Sequence, residues 1–228
     1  MTRYIKRHSL QARITHDVTI IACILLAISG LFVFITPLNN LLPSQVTFGI
    51  RMAHRVLGVV FIVVPLVSAL LAPKGVKHMF SNYLAKWDKD DVTFMKRFLP
   101  YMLGPKRVHM PDQHEVKSGQ RLADGLLLVA GATIAISGVF LLLGTTVVSF
   151  GAGLMLVMHL LHDLAFLMLA VFGLAHIFLG SGIFQPYRRM RRVMFGNGLI
   201  SESDALYHWG HWAREELEKG DKVVEIKD

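Results

Sequence analysis

Residues 153–183, GLMLVMHLLHDLAFLMLAVFGLAHIFLGSGI, carry one charged side chain, Asp163, on an apolar background that holds His159, His162 and His176. A helix needs about 20 apolar residues to cross a bilayer, so this stretch reads as a span. Three more stretches qualify: Val18 to Leu38, Ile50 to Ala72 and Leu122 to Val148. The only charges within those three are Arg51, Arg55 and Asp124. The chain has 228 residues, 53% of them hydrophobic, a net charge of +8 and a mean hydropathy of +0.48, an apolar excess that must face lipid. The expectation is an all-α integral membrane protein, a four-helix transmembrane bundle.

Basic residues orient it. Arg3, Lys6, Arg7 and Arg13 precede the first span, ten more lie from Lys74 to Arg121, and eight follow the last span, whereas residues 39–49 and 149–152 contain none. The positive-inside rule therefore makes both termini and the middle loop, 73–121, cytoplasmic. The domain expected is a transmembrane unit over residues 1–185, with a cytoplasmic tail over 186–228 and no soluble domain. A basic chain can signal nucleic acid, but here the charges flank spans instead of forming one patch, which excludes that partner in favour of membrane lipid. The first apolar run is followed by Thr36-Pro37 and not by a small-residue cleavage pattern, so it is expected to stay in the mature protein. Cys23 is the only cysteine, which rules out a cysteine-held iron–sulfur cluster and a covalently attached haem.

Aligned at an offset of 108, the two hairpins show a weak repeat: Arg13 on Arg121, Ile28-Ser29-Gly30 on Ile136-Ser137-Gly138, and His54 on His162. His16 falls on Asp124, so the halves do not share every residue. In the middle loop Phe94, Met95, Phe98, Leu99 and Met102 recur at helical spacing, which suits a short helix on the membrane surface that Pro100 kinks or ends. The tail run Tyr207-His208-Trp209-Gly210-His211-Trp212 reads as an interfacial aromatic anchor or as a docking surface.

Of eleven histidines, His8, His78, His109, His114, His208 and His211 fall in cytoplasmic segments, where a solvated ring is the ordinary expectation. The other five lie at or within spans, where ionisable residues are costly and usually functional. At about 100° per residue His162 and His176 share one helix face to within roughly 40° and lie roughly 21 Å apart along the axis, which suggests two stacked sites. His159 lies about 100° from His176 and is the poorer partner. Depth then pairs His16 with His176 near the cytoplasmic edge, and His54 with His162 in the outer half. Two imidazoles on opposite faces of a macrocycle give a six-coordinate iron suited to electron transfer. Gly30, Gly58, Gly131 and Gly138 offer room for a flat ring. Arg51 and Arg55, beside His54, can pair with haem propionates or snorkel to the interface.

These residues resemble the cytochrome b (gamma) subunit of membrane-bound respiratory formate dehydrogenases, a group related to the cytochrome b subunits of nickel–iron hydrogenases. The likeness covers roughly residues 13 to 219. It rests on His16 with Ala27-Ile28-Ser29-Gly30, His54-Arg55-Val56-Leu57-Gly58, Ser118-Gly119-Gln120-Arg121, the His162 to His176 interval and the Trp-rich tail. The resemblance implies two haems b, with His54 and His162 on the outer one and His16 and His176 on the inner one. It also implies a quinone, menaquinone or ubiquinone, reduced at the cytoplasmic side of a bacterial inner membrane. The expected partners are an iron–sulfur subunit on the outer side and a catalytic molybdenum or tungsten subunit. Gly119 falls where the family has a glycine at the quinone pocket; Lys117 stands where the best-known members have an asparagine. Lys117, Gly119 and Gln120 are therefore the candidate quinone residues, at the depth of His16 and His176, whereas the outer connections offer no general acid. The alternatives are a hydrogenase-type cytochrome b, a histidine-lined transporter, which should show acids facing an intramembrane cavity, and a cofactor-free anchor.

Overall fold

The computed structural model describes residues 2–182, 187 and 190–226. In chain order the elements are β1 (Thr2–Lys6), α1 (Leu10–Phe34), α2 (Thr36–Asn40), α3 (Ser44–Leu71), α4 (Pro73–Tyr83), α5 (Lys89–Leu103), α6 (Ser118–Thr146), α7 (Ala152–Gly180), α8 (Arg191–Phe195), β2 (Leu199–Ser201), α9 (Glu202–His208), α10 (Gly210–Lys219) and β3 (Val223–Ile226). Helices α1, α3, α6 and α7 are 25 to 29 residues long and apolar enough to cross a membrane. At 1.5 Å per residue even the shortest exceeds a hydrocarbon core of about 30 Å.

The helix ends depart from the apolar runs for local reasons. The first span was expected to reach Leu38, but the chain leaves the helix at Ile35 (φ −91°, ψ 96°) and restarts as α2 with a proline in its first turn. Pro37 lacks the N–H that a continuing helix would bond to the carbonyl four residues earlier, and its ring crowds that carbonyl, whereas in the first turn of α2 neither matters. At the other end α1 begins at Leu10, well before the apolar run, so a polar turn precedes the lipid-facing part. Pro65 sits inside α3 without ending it. Residues 183–186, where the fourth span was expected to end and the tail to begin, lie outside the described residues.

The chain divides into two compact units. One comprises Ile14–Leu71 and Leu127–Gly173. Its buried residues are small: Ala22, Ser29, Ala130, Ser137 and Ala165. Lipid supplies no hydrophobic drive between helices, so close backbone approach at small residues is what packs them. Ala22 and Ala130, like Ser29 and Ser137, stand at the 108-residue offset of the repeat, and the two halves thus bury equivalent positions.

The other unit, from residues 1–13, 72–126 and 174–228, contains a core that was not expected from the sequence. Strand β1 lies between β2 and β3 in an antiparallel sheet, with Ile5 opposite Ile200 and Val223, and Tyr4 opposite Ser201 and Val224. Ile5 packs with Ile200, Ala205, Trp209, Trp212 and Ala213. The tail's aromatic run is therefore not an interfacial anchor: Trp209 and Trp212 are 7% and 4% exposed, and the Arg7 guanidinium lies 4.5 Å and 4.4 Å from their ring centroids. Helix α9 is capped by Ser201, whose Oγ accepts from the Asp204 N–H, and α10 ends at Gly220, whose φ of 75° only glycine adopts without strain.

The middle-loop helix is also more embedded than its amphipathic spacing suggested. α5 opens with a reciprocal capping box between Asp88 and Asp91, and it buries Asp91, Phe94 and Tyr101 against protein. Pro100 falls in its last turns, where it costs one intrahelical bond and the helix continues to Leu103. Because β1 pairs with β3, the two chain ends lie on one side, as an even number of crossings requires.

Candidate functional site

His54 projects from α3 and His162 from α7, with ring centroids 6.4 Å apart and planes at 67°. Each ring is held in the same way. Ser29 donates its hydroxyl hydrogen to the Leu25 carbonyl at 2.8 Å, so its Oγ faces His54 Nδ1, 2.9 Å away, as an acceptor. Ser137 donates to the Thr133 carbonyl at 2.7 Å, and its Oγ lies 3.1 Å from His162 Nδ1. A hydroxyl has one hydrogen. With that hydrogen on the helix carbonyl, Oγ accepts from an Nδ1–H, the arrangement that leaves the Nε2 lone pair for a metal.

Glycines complete the arrangement. A Cβ on Gly30 would lie 3.4 Å from His54 Cε1, and one on Gly138 would lie 3.2 Å from His162 Cε1. These two glycines make room for the imidazoles, and a Cβ on Gly58 or Gly131 would meet nothing within 4 Å. Arg55 reaches Thr145 Oγ1 at 3.3 Å, and Arg51 is exposed.

The fit to haem can be tested on this geometry. Two imidazoles bound to opposite sides of one metal ion, with metal–nitrogen bonds of about 2 Å, place their ring centroids about 6 Å apart. The pair meets that separation in the tautomer that coordination needs. No group of three or more His, Cys, Asp or Glu side chains converges among the described residues. Such a pair suits an iron that brings its own equatorial ligands.

The remaining histidines differ in their partners. His176 Nδ1 lies 2.9 Å from Asp124 Oδ1, and Tyr83 donates to Asp124 Oδ2 at 3.1 Å. Burial and the neighbouring Asp124 push the Tyr83 phenol up, so it stays a donor. His16, two turns into α1, has Nδ1 3.3 Å from Asp17 Oδ1. His159 is bonded through Nδ1 to the Met155 carbonyl of its own helix at 2.8 Å.

The start of α6 is a buried polar node. Asp91 accepts from Ser118 Oγ at 2.7 Å and from Arg121 at 3.3 Å, and Gln113 Oε1 accepts from the Ser118 N–H at 3.1 Å. Gly119 packs against Phe94, whose Cε1 lies 3.3 Å from where a Cβ would stand. Lys117 is 8% exposed; its Nζ lies 2.9 Å from His208 Nδ1 and 4.9 Å from the Tyr187 and Trp209 ring centroids. Burial, with the charge of Arg7 nearby, pulls the Lys117 ammonium down to about 7. His208, expected to be solvated, is 5% exposed and stacks on Tyr187. Gln120 is half-buried beside this node.

Sequence reasoning missed Ser29, Ser137 and Asp124 as partners of the histidines, and Tyr83 as a partner of Asp124. The signal for the serines was present in the repeated Ile-Ser-Gly words, each 25 residues ahead of a histidine. Nothing local marked Tyr83, which reaches Asp124 from another helix.

A four-helix membrane scaffold carrying histidines with fixed Nδ1 protons defines a class, the membrane cytochromes b. Residues 7–196 match the prokaryotic cytochrome b561 family, and the chain belongs to it. It is thus a membrane protein of a haem b-binding, electron-carrying family. No curated protein matches the chain.

Proposed function

We propose that this chain is the membrane-anchoring cytochrome b subunit of a respiratory formate dehydrogenase in the bacterial inner membrane, taking electrons from an iron–sulfur partner on the outer side and passing them to a quinone at the cytoplasmic side. His54 and His162 would be the axial ligands of an outer haem b, and His16 and His176 those of an inner one. Haem b, when bound, supplies reversible one-electron chemistry without an open coordination position. The protein's part is to hold the imidazoles. Ser29 and Ser137 fix the outer tautomers, and Arg51 and Arg55 supply cations for propionates. Formate oxidation itself would belong to a molybdenum or tungsten partner.

Quinone is placed at the start of α6, where Lys117, Gly119 and Gln120 gather polar groups on the side of the cytoplasmic unit. A lysine drawn down to about 7 is able to give up a proton at neutral pH. The formate dehydrogenase assignment rests on the sequence resemblance. A nickel–iron hydrogenase cytochrome b of the same family fits the same residues, and the identity of the co-purifying large subunit separates the two.

The observation that carries the reading is the His54–His162 pair with its serine-fixed tautomers. Pyridine haemochrome analysis of the purified protein is expected to give two haems b per chain. His54→Ala and His162→Ala are each expected to remove the same one haem and leave the other's spectrum. A stoichiometry of one or zero, or loss of both haems from a folded single variant, overturns it.

A further inference from the structure

The four candidate axial histidines do not have equivalent partners. His54 and His162 face neutral serine oxygens whose hydrogens are spent on the helix. His176 faces a carboxylate: Asp124 Oδ1 lies 2.9 Å from Nδ1, the Asp124 side chain is 14% exposed, and its second oxygen accepts from Tyr83 at 3.1 Å. The repeat sharpens the contrast. At the 108-residue offset Asp124 corresponds to His16, and His176 corresponds to Ser68, which instead accepts from Thr15 Oγ1 at 2.8 Å. His16 also has a carboxylate near it, but Asp17 is its chain neighbour, at 3.3 Å and 40% exposed, whereas Asp124 reaches His176 from another helix, at 2.9 Å and 14% exposed.

We propose that Asp124 is a positioning residue that sets the redox potential at His176, drawing on the Nδ1 proton so that Nε2 becomes a more electron-donating nitrogen than those of His54 and His162. A charge-assisted hydrogen bond is roughly twice as strong as one between neutral groups. An imidazole hydrogen-bonded to a carboxylate is a more basic ligand, and second-sphere hydrogen bonding is one of the levers by which a protein moves a haem potential. A more basic ligand favours the ferric state, so the haem held by His176 has the lower potential of the two. Tyr83 moderates the effect, because its hydroxyl competes for the same carboxylate. This inference rests on the dihaem reading of the preceding section.

The test is a spectroelectrochemical titration of the detergent-solubilised full-length protein, wild type, Asp124→Asn and Tyr83→Phe, read by the visible bands of each haem. Wild type must first show two haems b; if it does not, the dihaem reading fails, and not the role of Asp124. Asparagine keeps the hydrogen-bond acceptor but removes the charge. Asp124→Asn is expected to raise the reduced-to-oxidised ratio of the His176 haem about tenfold at a fixed ambient potential, a shift of about 59 mV for one electron, with the other haem unmoved. Tyr83→Phe is expected to move the same haem the opposite way. If Asp124→Asn loses a haem, the sign of the Tyr83→Phe shift decides. An unchanged potential, or equal shifts at both haems, overturns the proposal.

Discussion

Ser137 Oγ stands 3.1 Å from His162 Nδ1 while donating to a carbonyl of its own helix, and Ser29 repeats the arrangement at His54 108 positions earlier. Each serine spends its hydrogen so that its oxygen can only accept. Ser29→Ala or Ser137→Ala is therefore expected to loosen the imidazole without removing it. Loss of such a partner typically costs 10- to 100-fold in affinity at a metal site. The measurement is haem transfer to an excess of an apo-acceptor, with loss about tenfold faster for each variant and the remaining haem unaffected.

The glycines predict an asymmetry. A Cβ at Gly138 meets the His162 ring at 3.2 Å, tighter than the 3.4 Å between Gly30 and His54. Gly138→Ala must displace the imidazole by a few tenths of an ångström, at a cost of about 1–3 kcal/mol for overpacking. It is expected to lower haem occupancy more than Gly30→Ala does. Equal occupancy in the two variants, read from the Soret band against protein content, would contradict this.

Asp91 ties α5 to α6. Its side chain accepts from Ser118, Arg121 and the Asp88 N–H, and both it and the Arg121 side chain are at most 5% exposed. Asp91→Ala leaves the buried Arg121 guanidinium with the Ala85 carbonyl but without its carboxylate, and breaking such a buried pair costs about 3–5 kcal/mol. The expected outcome is a marked fall in the apparent melting temperature in detergent and protease cleavage between residues 84 and 117.

Lys117 predicts a pH dependence. Its ordinary value of 10.5 falls to about 7 in the folded chain, so between those values the unfolded chain binds more protons than the folded one, and stability rises with pH. Below about 7 the cost of burying the charge is felt in full. Lys117→Met is expected to abolish this slope and to resist proteolysis better than wild type at about pH 6, with the difference shrinking by about pH 9. A wild-type profile that falls across that window would sink the assignment.

The four spans were legible because a bilayer imposes a length and a polarity on each, and both are one-dimensional properties of the sequence. His54 and His162 were legible as a pair for the same reason, since depth along a helix is a count of residues. The small sheet was not: β1 is five residues long and its partners lie nearly two hundred positions away, so no local pattern distinguishes Thr2–Lys6 from a basic flank. Trp209 and Trp212 were misread because an aromatic beside a span looks the same in sequence whether it meets a headgroup or Arg7. The role of Asp124 was hidden likewise, since its partners His176 and Tyr83 come from other helices.

The pairing of Thr2–Lys6 with Val223–Ile226 has a consequence for biogenesis. β1 precedes the four long apolar helices and β3 follows them, so the sheet closes only after all four have been made. A chain with one span left out would put β1 and β3 in different compartments, and this sheet could not form. Closure of β1 on β3 thus requires an even number of crossings, and it accompanies the burial of Ile5, Trp209 and Trp212.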